Sequence, residues 1–248
     1  MTAYRCTTVL APSEYQILQV EAPNVKREEL KSAVRWRIKD MIDYPVNDAT
    51  IDVLDMPAHA APQRSATMYV VAARSEAVKR VMGQFAAAGL PLVVIDIPDT
   101  CQRNVAALYE SPGRALLSLS FDEEAGLMTI TAGGELFLSR RLDIGYPQLG
   151  DSAERRAIER VLVELQRSLD HFERNFSSLP IERILVAPMP HAEPLVEHLR
   201  GQIQLPVLSM DLGEVMDLPP QYLADPPEAR ARWFRLIGAG LRVEPAVP

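Results

Sequence analysis

Cysteine is scarce in this 248-residue chain, which contains only Cys6 and Cys101, far apart in sequence. Two such residues support neither a disulfide framework nor a Cys-x-x-Cys metal site, so a reducing compartment is expected. Histidine is equally sparse: His59, His171, His191 and His198 show no spacing that would put two imidazoles on one helix face, and no third ligand accompanies them. No metal site is therefore expected. Dense basic blocks are missing too, with 26 Lys and Arg against 33 Asp and Glu for a net charge of −7. Affinity for nucleic acid grows with the number of phosphates neutralised, so nucleic acid is not an expected partner. The longest apolar stretches, such as Leu90 to Ile97, fall well short of the ~20 residues a membrane span requires. The N-terminus has no cationic segment followed by an apolar one. The chain reads as cytoplasmic, without a transmembrane segment of its own.

What is present is an ordinary apolar fraction, 48%, and length enough for two modest domains, each able to bury a core. Thr8 to Leu10 and Tyr15 to Val20 alternate as strands do, broken at Ala11-Pro12-Ser13. A helix should follow, capped by Asn24, with apolar residues at Leu30, Ala33, Val34, Ile38, Met41 and Ile42, until Tyr44-Pro45 stops it. Strands at Thr50 to Leu54 and Thr67 to Ala73 flank the Ala/Pro-rich stretch Pro57 to Ser65, which reads as a mobile loop. Next comes a helix begun by Ser75 with Val78, Val81, Met82 and Phe85 inward, then Gly89 at its end and a buried strand from Leu92 to Ile97. Asp99 or Thr100 opens a short helix to about Tyr109. Ser111-Pro112-Gly113 joins two breakers between regular elements and marks the expected boundary between domains 1–111 and 112–248.

The second half begins afresh. Arg114 to Ser120, Leu127 to Thr131 and Glu135 to Arg141 read as an antiparallel meander, with Gly133-Gly134 supplying the positive φ angles of a two-residue hairpin. From about Ser152 to Phe176 the apolar residues Ile158, Val161, Leu162, Leu165, Leu169, Phe172 and Phe176 fall within about a 100° arc, the width of a core-facing stripe. A dimeric coiled-coil seam is the competing reading of that stripe, but its period is 3.6 rather than a strict heptad. Glu182 to Ala187 (strand), His191 to Gln202 (helix), Pro206 to Leu208 (strand) and Glu228 to Leu241 (helix with Trp233, Leu236 and Ile237 inward) complete the chain.

Three antiparallel strands followed by alternating helices and parallel strands is the order of the ribonuclease H-like unit. Beyond that order, Tyr15-Gln-Ile-Leu-Gln-Val-Glu-Ala-Pro23, Glu28-Glu-Leu-Lys-Ser-Ala-Val-Arg-Trp-Arg37, Val70-Val-Ala-Ala-Arg74, Ala86-Ala-Ala-Gly-Leu90 and Val94-Ile-Asp-Ile97 resemble the PilM-like proteins. Gly134-Glu-Leu-Phe-Leu-Ser-Arg-Arg-Leu-Asp-Ile-Gly145 and Glu164-Leu-Gln-Arg-Ser-Leu-Asp170 are most similar to the MshI branch of agglutinin-pilus biogenesis proteins. The resemblance implies an α/β protein of actin-like ATPase (ribonuclease H-like) fold, built from two domains with mixed sheets. It further implies a place at the inner membrane, beneath the assembly platform of an MSHA-like type IV pilus. The partner there would be the short cytoplasmic tail of a PilN-like membrane protein, together with other platform components. A homodimer stays open.

The chain departs from that pattern at each nucleotide contact. Its opening corresponds to about the third strand of the first unit, so the expected first domain is incomplete at its N-terminus and lacks the phosphate-binding hairpin. Where the second phosphate loop belongs, the sequence is Ser118-Leu-Ser-Phe-Asp-Glu-Glu-Ala-Gly126, with Ser120 in place of the acid and Asp122 in place of the glycine. A phosphate turn needs bare N–H groups, and three successive carboxylates would repel it. Ala187-Pro188-Met189-Pro190 replaces the turn that would approach an adenosine, and proline supplies no N–H. The expected protein is thus a scaffold without a cofactor and without turnover. The alternative is an ATP-binding switch, with ATP and Mg bound only if the missing loop exists in a longer form. A ribonuclease H-type nuclease lacks its first-strand acid at Ser120, and Asp96 and Asp143 read as turn residues. For partner binding the candidates are Arg35, Trp36, Arg37, Lys39 and Tyr44, because Trp and Arg are the residue types that anchor interfaces.

Overall fold

The computed structural model describes residues 5–57, 66–150 and 154–243. The expected mobile loop, His59 and the start of the long helix at Ser152 lie outside them. The chain divides into two compact units, one ending at Ile97 and one beginning at Pro98.

In the first unit the order is β1 (Cys6–Val9), β2 (Tyr15–Glu21), α1 (Leu30–Ile38), β3 (Ala49–Asp55), β4 (Thr67–Arg74), α2 (Ser75–Ala87) and β5 (Leu92–Asp96). β2, β4 and β3 form an antiparallel three-stranded sheet with β4 central. Alternate residues of a strand point to opposite faces, and both faces of β4 are covered. Met68, Val70 and Ala72 pack with Val34 and Ile38 of α1. Ala73 joins Tyr15, Leu10 and Ile97, against which Val78 and Val81 of α2 are packed. That is why β4 reads as a continuous apolar run.

Several expectations shift here. Asn24 does not cap α1; a single 3-10 turn, Arg27–Glu29, runs straight into it with no side-chain cap. The helix ends at Ile38, where Met41 N–H turns back to the Ile38 carbonyl at 2.9 Å. Ile42 and Tyr44 stay in the core although they lie beyond the helix. β5 is not a buried strand: it pairs with β1 alone among the described residues, and Val93 is 53% exposed. β1 and β5 run parallel, whereas the third strand of a ribonuclease H-like unit is antiparallel to its neighbour.

The second unit contains α3 (Pro98–Ala106), β6 (Ala115–Phe121), β7 (Gly126–Ala132), β8 (Glu135–Leu142), α4 (Glu154–Asn175), β9 (Ile181–Val186), α5 (Ala192–Arg200), β10 (Val207–Ser209), α6 (Pro220–Ala224) and α7 (Pro227–Gly240). Its five-stranded sheet has the order β10-β9-β6-β7-β8. The meander β6-β7-β8 is antiparallel, while β9 runs parallel to both β6 and β10. Gly133 and Gly134 turn the β7–β8 hairpin with φ of 59° and 76°, angles that cost other residues steric strain. The α4 stripe is buried as its period predicts, with Val161, Leu165 and Phe172 fully inside.

Two expectations for this unit fail. Ser111-Pro112-Gly113 lies inside it, as the turn between α3 and β6, because α3 packs on α7 and on β6, β7 and β8. On α7 the inward residues are Phe234, Gly238 and Ala239, with Ile237 packed against the same core as expected, whereas Trp233 and Leu236 are 44% and 50% exposed. The helix is turned this way by its approach to α3. A Cβ on Gly238 would lie 2.2 Å from the Cys101 carbonyl oxygen, so only glycine permits the contact.

Candidate functional site

At the phosphate-loop position, the β6–β7 turn, Ser120 and Asp122 both face inward to protein groups. The buried Ser120 hydroxyl donates to Gln102 Oε1 at 2.5 Å. Gln102 Nε2 in turn donates to the Ser118 carbonyl and to Thr129 Oγ1, both at 2.9 Å. Ser120 therefore belongs to a buried polar network that pins α3 to the sheet. Asp122 Oδ1 accepts from the N–H groups of Glu124 and Ala125 at 2.7 and 2.6 Å. Its Oδ2 pairs with Arg235 of α7 at 2.5 Å. Burial works to raise the Asp122 carboxyl. The Ala125 N–H, the Arg235 guanidinium and the Glu124 N–H outweigh burial and hold it below the usual carboxylate range. The turn is closed from outside as well: Tyr146 N–H donates to the Asp122 carbonyl at 2.8 Å, and a Cβ on Gly145 would lie 2.2 Å from the Glu123 carbonyl oxygen. The N–H groups that a phosphate would need are already bonded to a carboxylate of the same turn.

This arrangement has a measurable consequence. Asp122→Asn keeps the shape but removes the charge facing Arg235, and should cost about 1–2 kcal/mol at neutral pH. Because the folded pKa is depressed, the wild-type contribution is complete above the unfolded value of about 3.9 and is lost as pH falls through the folded value. The two proteins should thus converge in acid; a gap in urea midpoints that does not narrow as pH falls would contradict the assignment.

Just past the end of β9, Ala187 N–H donates to the Leu119 carbonyl at 2.8 Å, and Met189 is buried. The segment Ala187 to Pro190 is thereby held against the sheet, with Pro188 and Pro190 offering no donor.

The surface of α1 separates the five partner-binding candidates. Arg35 is turned back onto its own unit, donating to the Val46 carbonyl at 2.5 Å and the Ala49 carbonyl at 3.3 Å. Tyr44 is buried with its ring 4.2 Å from the Arg74 guanidinium, which also meets Asp43 at 3.4 Å. Burial raises the Tyr44 phenol, opposed by the Arg74 charge and aided by Asp43. These two residues hold the helix and the following turn in place. Arg37 is exposed and pairs with Glu21 at 3.6 Å; Lys39 lies 3.9 Å from Asp40. Trp36 projects from the outer side of α1 and is 73% exposed. Sequence reasoning missed Arg74, Gln102 and Arg235. An i, i+3 or i, i+4 pattern carries no trace of their partners, which come from distant elements.

Among the described residues no group of three His, Cys, Asp or Glu side chains could hold a metal ion, and no helix is long and apolar enough to cross a membrane.

A mixed sheet of this order, covered by helices and preceded by a unit with an inserted antiparallel sheet, is the actin-like ATPase fold. The chain is similar to a solved structure described as a PilM-PilN type IV pilus biogenesis complex, with a TM-score of 0.71 and 23% identity over 95% of this chain and 80% of that one. It is also similar to a Bacteroides thetaiotaomicron protein described as having an actin-like ATPase fold and unknown function, with a TM-score of 0.51 and 10% identity over 86% and 70% of the two chains. The sequence matches no protein-family model and no curated protein.

Proposed function

We propose that this chain is a non-hydrolysing scaffold of a type IV pilus assembly platform, of the MSHA kind, that holds the cytoplasmic tail of a PilN-like inner-membrane protein. It works in the cytoplasm, peripheral to the inner membrane. The observation that carries the absence of turnover is the closed β6–β7 turn, where the Asp122 carboxylate already takes the Glu124 and Ala125 N–H groups. Binding is supported by the likeness in fold to the PilM-PilN complex and by Trp36, a large aromatic residue left in solvent on a helix whose opposite side is fixed in the core. Arg37 and Lys39 flank it, and Arg35 and Tyr44 set the orientation of the helix.

Two measurements test this reading. Calorimetry with Mg-ATP should give no binding, and micromolar affinity would overturn the absence of nucleotide. For the tail, Trp36→Ala should weaken binding of a synthetic PilN-type tail peptide by about 2 kcal/mol, roughly 30-fold, as for an aromatic anchor. Arg35→Ala should instead lower thermal stability, since its partners are backbone carbonyls. An unchanged peptide affinity in a folded Trp36→Ala protein would remove α1 from the interface.

A further inference from the structure

The carboxyl ends of the parallel strands β9 and β10 open on a cleft of about 480 Å³ within the second unit. Ligands of open α/β sheets gather at such ends because the loops diverge there. Two residues that line this cleft each carry a buried polar group with no hydrogen-bond partner among the described residues, the Tyr222 hydroxyl and Arg230 Nε. Tyr222 is only 8% exposed. Burial raises its phenol, opposed by the Arg230 charge and aided by Asp211, so the hydroxyl keeps its proton at neutral pH. Both unmet groups are donors, and an unmet donor in such a place is costly unless something supplies an oxygen.

The rim has the opposite character. Glu193 accepts from Ser209 Oγ at 2.6 Å through Oε1, and Asp211 accepts from Gly213 N–H at 2.9 Å through Oδ1. Each carboxylate keeps a second oxygen unpaired among the described residues, and both side chains are exposed. Two rim carboxylates against one guanidinium disfavour an anion, and Pro188 in the wall offers no N–H to a phosphate. Met210 and Pro188 give the cleft apolar surface.

We propose that this cleft binds a short basic peptide segment from another protein: a main-chain carbonyl accepts from Tyr222 Oη and Arg230 Nε, and a neighbouring lysine or arginine side chain faces Glu193 and Asp211. A main chain supplies the acceptor in a neutral amide, and the cation matches the rim. The site is independent of α1 and of the tail-binding reading above.

The test is protein-observed NMR on the full chain with acetyl-Ala-Lys-Ala-Lys-amide, acetyl-Ala-Glu-Ala-Glu-amide and AMP as probes. The lysine peptide should move the amide signals of Ala192, Met210 and Leu212, whereas the glutamate peptide and AMP should leave them in place. Tyr222→Phe, which removes one donor without changing the ring, should weaken the lysine peptide about fivefold. Glu193→Gln should weaken it and flatten its salt dependence. Arg230→Lys, which keeps the charge and loses Nε–H, should weaken it as Tyr222→Phe does. Equal response to the glutamate peptide, displacement of these signals by AMP, or unchanged lysine-peptide affinity in folded Tyr222→Phe and Glu193→Gln proteins would overturn the proposal.

Discussion

Replacing Phe172 by alanine is expected to lower the unfolding free energy of the second unit by about 3–5 kcal/mol. Phe172 belongs to an aromatic trio in which Phe137 of β8 meets it edge-on at 6.0 Å between ring centroids and Phe176 lies 4.9 Å away. Phe137 and Phe176 are themselves edge-on at 5.1 Å. Truncation removes one ring of the three, and with it both the transfer free energy and two ring contacts worth about 0.5–1.5 kcal/mol each. The space left behind cannot collapse easily, since one wall is a hydrogen-bonded sheet and the other a helix of 22 residues. Urea unfolding followed by circular dichroism should show a lower midpoint with an unchanged slope. Val163→Ala on the exposed side of the same helix should shift the midpoint by no more than about 0.5 kcal/mol. A Phe172→Ala loss below about 1 kcal/mol would mean that α4 is not seated on the sheet through this stripe.

What could be read from the sequence follows how local its cause is. The α4 stripe was legible because helical period alone decides which side chains share a face, and the β7–β8 hairpin because Gly133-Gly134 names its own turn. The direction of α7 was not. Trp233, Phe234, Leu236 and Ile237 spread over an arc of about 160° at about 100° per residue, wider than one buried stripe, so composition leaves the buried side open; the close approach of Gly238 to Cys101 decides it. Proline and glycine at 111–113 mark a turn reliably, yet a turn is a domain edge only if few contacts cross it, and α3 makes many with the sheet that follows. At the candidate site, the loss of a phosphate turn was readable from Asp122-Glu123-Glu124. Its means was not: one carboxylate bonds its own turn rather than three repelling a ligand together. The bonds of Arg35 were hidden for a related reason, because backbone carbonyls at Val46 and Ala49 leave no charge pattern in the sequence.

Gly238→Ala should be among the most damaging single-methyl changes in the described residues. Helix propensity by itself argues the other way, since alanine is better than glycine in a helix interior by about 1 kcal/mol. The added Cβ, however, would sit 2.2 Å from the Cys101 carbonyl oxygen and 2.8 Å from its Cα. Those are backbone atoms of α3, which cannot swing aside as a flexible side chain could. Relief requires α7 to move off α3, straining the bond from Asn104 Nδ2 to the Gly238 carbonyl, now 2.9 Å, and loosening Phe234 in the same cluster as Val105 and Ala106. Overpacking against a rigid wall costs typically about 1–3 kcal/mol and sometimes more, so the net effect should be destabilising despite the propensity gain. Gly240, two residues on, has nothing within 4 Å of its Cβ position, and Gly240→Ala should be neutral or stabilising by up to about 1 kcal/mol. The pair of melting curves therefore separates packing from propensity within one helix: opposite signs are expected, and a shift of the same sign in both would show that α7 does not rest on α3 through Gly238.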